Sequence, residues 1–100
     1  MKAYVVSFNV VEDAVLYQQY AARAPQTIAA FGGSYVVRNG NKFALEGEVP
    51  DKRVVILEFP SMETARQWYD SKEYQEVAQI RHRASTGTIF IIEGPAQPPV

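Results

Sequence analysis

The distribution of apolar and polar positions divides the 100-residue chain into alternating strand-like and helix-like stretches. Residues 3–11, AYVVSFNVV, are β-branched and aromatic with no Gly or Pro, and form the first expected strand. From Asp13 the spacing becomes helical, with Leu16, Tyr20, Ala24, Ile28 and Phe31 on one side. Glu12 and Asp13 stand at the favourable end of that helix dipole, and Gly32-Gly33 supplies the stop. Pro25 is expected to kink or divide the helix. Residues 34–38 read as a second strand and Asn39-Gly40 as a tight turn, after which residues 42–48 read either as a hairpin partner or as a bent continuation.

A turn at Pro50-Asp51-Lys52 leads into RVVILEF, residues 53–59, where five of seven positions are apolar, the pattern of a strand buried on both faces. Pro60 ends it, and Ser61 is placed to cap a helix whose apolar face is Ala65, Trp68 and Tyr69, with Glu63 in its first turn. Asp70-Ser71 interrupts this helix. Ser71 caps a further segment, ending before Gly87, that carries Tyr74, Val77, Ala78 and Arg81 on one side. Residues 88–93 form the last strand, so one domain is expected over residues 1–94, with a Pro-rich tail over 95–100.

This order is that of an α+β ferredoxin-like βαββαβ antiparallel sheet with its helical segments on one face. The first, third and last strands place Val, Ile, Phe or Tyr on both sides of the pleat. A second cover is therefore needed, no sequence is left over to supply it, and a second copy of the same sheet is the economical one. The expectation is a homodimer, sheet against sheet.

Composition narrows the function. Ten basic and eleven acidic residues leave a net charge of -1, which gives no field for a nucleic-acid backbone. Apolar runs of four or five residues fall far short of the roughly 20 needed to cross a bilayer, and no signal-type segment follows Met1-Lys2, so a cytoplasmic protein without a membrane partner is expected. The absence of cysteine excludes disulfides, thiolate metal sites and Cys nucleophiles, and a single histidine excludes a multi-His metal site within one chain. No GxGxxG or GxxxxGK occurs, and a Ser-His-Asp arrangement would have to pair His82 with Ser85 or Ser71, which lack an elbow context. Neither a cofactor nor a metal is expected.

Among polar residues, Arg81 shares a helical side with Tyr74 and presents a rigid fork suited to a ligand carboxylate, with Tyr74 and Tyr69 beside it. The competing role is structural, an ion pair with Glu58 from the apolar third strand. Arg38 and Arg53 stand next to turns, where solvation or pairing between subunits is the ordinary role; Arg38 is kept as a ligand-binding candidate. Tyr20, Tyr35, Tyr69 and Tyr74 suit the lining of a cleft between sheet and helices, as they equally suit a small aromatic core.

The Tyr-rich first helix ending in Phe31-Gly32-Gly33, Val37-Arg38 before a Gly turn, Leu45-Glu46-Gly47, RVVILEFP at 53–60, Trp68-Tyr69-Asp70-Ser71 with Glu73-Tyr74, Arg81 and Ile92-Glu93-Gly94 follow one another in a characteristic order. In these the chain resembles the DUF1330 family of the dimeric α+β barrel superfamily. The resemblance implies a ferredoxin-like fold and face-to-face dimers, and it supplies no reaction. Some monooxygenases of the superfamily, cofactor-independent or haem-degrading, use an Asn on the first strand with a Trp and a His on the second helical region, which Asn9, Trp68 and His82 match by type. Three functions are thereby carried forward. The first is a homodimer binding a small apolar or aromatic, carboxylate-bearing molecule between sheet and helices; the second is a monooxygenase- or isomerase-like enzyme using Asn9, Trp68 and His82 or Glu58 with Arg81; the third is a structural or regulatory interaction module with an empty interior.

Overall fold

The computed structural model describes residues 1–95, so the expected tail lies, beyond residue 95, outside the described residues. Strand β1 (Ala3–Val11) is flanked by β3 (Arg53–Phe59) and β4 (Ser85–Glu93), and β2 (Ser34–Arg38) adds to the far side of β3, all antiparallel in the order β2-β3-β1-β4. Helices α1 (Ala14–Ala30), α2 (Met62–Asp70) and α3 (Lys72–Ala84) cover one face. This is the ferredoxin-like α+β arrangement, with both crossovers on the same side of the sheet.

Period-two alternation decides what each face holds. Ala3, Val5, Ser7 and Asn9 of β1 turn towards the helices and are buried, whereas Tyr4, Val6, Phe8 and Val10 turn away. Val54, Ile56, Phe90 and Ile92 share that second face by register, and no element covers it among the described residues. The core lies on the helix side, where Trp68 packs against Tyr74 and Phe59 with ring centroids 4.0 and 5.3 Å apart. The indole N–H donates to Thr27 Oγ1 at 3.1 Å, which ties α2 to α1. Ser71 joins α2 to α3 by acting at both ends. Its hydroxyl donates to the Trp68 carbonyl and accepts from the Tyr74 amide, so the break expected there is one capping residue shared by two helices.

Three expectations are corrected. Residues 42–48 form neither a hairpin partner nor a continued strand. They belong to a loop over 39–52, in which Asn39 takes φ 51° and clamps the loop ends: its amide donates to the Val54 carbonyl (2.7 Å) and its Oδ1 accepts from the Val54 amide (3.2 Å). Phe43 and Leu45 are 87% and 89% exposed, so the apolar residues there pack against no strand. The last strand begins three residues earlier than residue 88, and Gly87 lies inside it opposite Asn9, where a Cβ would meet the Phe8 carbonyl and the Asn9 side chain. Pro25, finally, does not divide α1. Proline lacks the amide that would bond the carbonyl four residues back, and Arg38 Nη2 from β2 donates to that carbonyl, Ala21 O, at 2.9 Å.

The last contact generates a double-mutant prediction. Arg38→Ala is expected to cost about 1 kcal/mol of stability with Pro25 present, and less than about half of that in a Pro25→Ala background, where the backbone at position 25 regains its amide donor. Denaturant titration of the four proteins measures the coupling. Equal costs in the two backgrounds would dissociate Arg38 from the proline.

Candidate functional site

Two connected spaces lie where α1 crosses the sheet. The inner one is a crevice of about 30 Å³ bordered by Ser7, Tyr17, Tyr20, Tyr35, Arg38, Arg53 and Trp68. At roughly 10–15 Å³ for each water-sized group, it holds two or three oxygens and no ring. The outer one is a broad groove of about 800 Å³ beyond the end of the sheet. Its apolar floor is Val10, Val11, Ala14 and Val15, and its polar side is Asn9, Asn39, Lys42, Asp51, Lys52 and Arg53. Tyr17 and Arg53 border both spaces and so mark their junction.

Topology puts these groups together. β1 and β2 end, and β3 begins, at the same edge, so Asn9, Arg38 and Arg53 come from three adjacent strands, and α1 starts directly above. Arg53 pairs in register with Asn9 and has the same parity as Val55, Leu57 and Phe59, which directs it to the helix side. Its guanidinium lies 5.2 Å from the Tyr17 ring centroid, and that of Arg38 lies 4.5 Å from Tyr35. Asn9 is buried; its amide group donates to Ser7 Oγ and its Oδ1 has no partner among the described residues, nor does Arg53 Nε. Among the described residues the sole ion pair is Lys2 with Glu58, at 3.5 Å. Both arginines at the crevice thus lie over tyrosine faces, Arg38 with the Ala21 carbonyl as well, and among the described residues no carboxylate pairs with either.

The residues expected to form a ligand site are distributed differently. Arg38 borders the crevice, while Arg81, Tyr74 and Tyr69 belong to the aromatic packing between α1, α2 and α3. Arg81 is 7% exposed, and its Nη2 lies 3.2 Å from His82 Nε2. The expected Glu58–Arg81 pair does not form. Glu58 pairs in register with Tyr4 and Ser34 on the uncovered face, where Lys2 reaches it, and the sheet separates it from α3. Asn9 borders the groove and Trp68 the crevice, but His82 lies on the exposed side of α3 and borders neither space. Partial desolvation, with the Arg81 charge beside it, holds the His82 pKa below the ordinary imidazole value. Tyr17 and Arg53 were missed as site residues: RVVILEF is apolar on both sides of the pleat, so the side that Arg53 shares with the helices is set by register and not by the strand alone.

Tyr20 and Tyr74 face each other with hydroxyls 2.8 Å apart. Burial pushes both phenols above the ordinary value of 10.0, and the Arg81 charge opposes that rise in each. Tyr35 is also raised, again chiefly by burial.

Comparison with known proteins bears on the fold. The sequence profile of the domain of unknown function DUF1330 matches residues 2–95. A protein of unknown function from Rhodopseudomonas palustris superposes with a TM-score of 0.74 at 17% identity, over 97% of this chain and 84% of that one. SnoaB, a cofactor-independent oxygenase from Streptomyces nogalater, gives 0.65 at 15% identity over 99% and 98%. A dimeric protein of unknown function and ferredoxin-like fold from Bacteroides fragilis gives 0.50 at 11% identity over 93% and 96%. No curated protein matches the chain in sequence.

The tyrosine pair predicts alkaline behaviour. A phenol whose pKa is raised by folding contributes stability that is complete below its unfolded value, near pH 10, and is lost as pH rises through the higher folded value. The melting temperature is therefore expected to drop above about pH 10, and Tyr20→Phe, which costs about 1 kcal/mol at neutral pH, to make that drop shallower. An alkaline slope unchanged in the variant would assign the loss to other groups.

Proposed function

The chain belongs to the DUF1330 family, and from that footing we propose that it is a cytoplasmic homodimer that binds a small apolar or aromatic organic acid at the junction of crevice and groove. The observation that carries this reading is the pair of guanidiniums, Arg38 and Arg53, bordering a crevice sized for the oxygens of an acid and lacking carboxylate partners. The apolar body of the ligand then lies along Val10, Val11, Ala14 and Val15, which gives the site the apolar wall and convergent polar groups typical of small-molecule pockets. The ligand site moves, relative to the expectation from sequence, from the helix side of Arg81 to the sheet end at Arg53. Dimerisation is supported by the uncovered apolar sheet face and by the dimeric relative of the same fold.

An interaction module with an empty interior is the second reading, favoured by the small volume of the inner crevice. Oxygenase chemistry through Asn9, Trp68 and His82 has less support, because His82 stands apart from the other two.

Trp68 is the one tryptophan and borders the crevice, so its fluorescence reports on occupancy. Titration with benzoate is expected to change the emission saturably, and Arg53→Gln to weaken binding by about 10–100-fold through loss of charge-assisted hydrogen bonds, with Arg81→Gln leaving the affinity unaltered. No saturable change with benzoate would favour the interaction module. In native mass spectrometry the wild type is expected as a dimer and Ile56→Asp, which places a charge in the middle of the uncovered face, as a monomer. A monomeric wild type would overturn the dimer.

A further inference from the structure

The charge arrangement at the junction narrows the class of acid. Arg38 stands opposite Val55 across the β2/β3 pair, and Arg53 lies two residues before Val55 on β3. The two arginines are diagonal neighbours on one face, with backbones about 7–8 Å apart. Each is stacked on a different tyrosine, Tyr35 or Tyr17, and Arg38 is fixed further by the carbonyl that Pro25 leaves free. Two like charges are in this way held at separate points on the rim of one crevice. A single carboxylate balances one of the two charges and leaves a net positive charge at the crevice. The remaining charge on the groove wall points the same way: Lys42 and Lys52 stand there with one acid, Asp51, although the start of α1 beside it is already capped by the Asp13 carboxylate.

We infer that the acid is a dicarboxylate on an apolar or aromatic body, its two carboxylates read separately by Arg53 and Arg38. The inference rests on the reading of this junction as an organic-acid site and adds the second charge and the residue that recognises it. Arg53, at the point common to crevice and groove, anchors the first carboxylate. Arg38 selects for the second. A phosphate monoester brings its two charges to one point, and so separates two-point recognition from neutralisation of charge alone.

The experiment compares four probes against the full chain by Trp68 fluorescence: benzoate, isophthalate, the monomethyl ester of isophthalate, and phenyl phosphate. Isophthalate is expected to bind at least about tenfold more tightly than benzoate, with its monoester falling back to the benzoate level and phenyl phosphate remaining weaker than isophthalate. Arg38→Gln is expected to weaken isophthalate by at least about tenfold and benzoate by markedly less, so that the preference between the two is lost. Arg38→Lys, which keeps the charge and loses the fork, retains part of the preference and serves as the folded control, since Arg38 also supports α1. The salt dependence of wild-type affinity is a readout free of mutation, and should be steeper for isophthalate than for benzoate. If benzoate binds and isophthalate binds no more tightly, the second carboxylate site is overturned and the organic-acid reading stands. Phenyl phosphate matching isophthalate overturns two-point recognition. If no acid binds, both the inference and the reading beneath it are overturned.

Discussion

The Trp68 indole packs between Phe59 of the sheet and Tyr74 of α3, while its N–H is taken by Thr27 of α1. One side chain therefore fixes the distances among three helices and the strand beneath them. Its single donor is already used internally. The positions of the crevice and the groove follow from this packing. The crevice is bordered by Trp68 and Tyr20 of the aromatic cluster, the groove opens where α1 begins and the sheet ends, and a further space of about 320 Å³ lies beside Trp68 and Tyr69 against β1 and β4.

The second constraint is that three helices cover only one face of a four-stranded sheet. The aromatic cluster supplies the core on that side, and the other side shows Val, Ile and Phe at the same periodicity with nothing upon them. The Rhodopseudomonas, Streptomyces and Bacteroides proteins share the fold at 11–17% identity, and the family match spans residues 2–95. A fold retained at such distance, with side chains so different, keeps its backbone path and leaves the sheet end free to vary.

Most of the fold was legible because its signals are local. Ser61 and Ser71 cap helices where their hydroxyls precede an apolar-periodic run, and RVVILEF reads as a strand by composition alone. What failed depended on contacts distant in sequence. The apolar residues of 42–48 suggest a hairpin partner for β2 until it is known that β2 pairs with β3 instead and that Phe43 and Leu45 stand exposed off the sheet. Glu58 seemed suited to Arg81 because register, which sets the face of every strand side chain, cannot be read from the strand itself. Pro25 reads as a helix breaker because the guanidinium that compensates for it arrives from 13 residues further along the chain. Arg81 has the chemistry of a ligand fork and is buried among the helices, while Arg53, next to a turn, borders the crevice through the same register that the strand alone does not reveal.

The Asn39 clamp separates the stability of the sheet from the content of the loop that follows. Both hydrogen bonds that close residues 39–52 are made at their ends, by Asn39 and Val54, so strand registration is complete before any loop residue contributes. Closing a longer connection costs only slowly rising chain entropy, about 0.6 kcal/mol per doubling of its length. The loop is thus a place where insertions and wholesale replacement of sequence are tolerated by the scaffold, and since Lys42, Asp51 and Lys52 stand on the groove wall, such exchanges would retune what the groove accepts without touching the core.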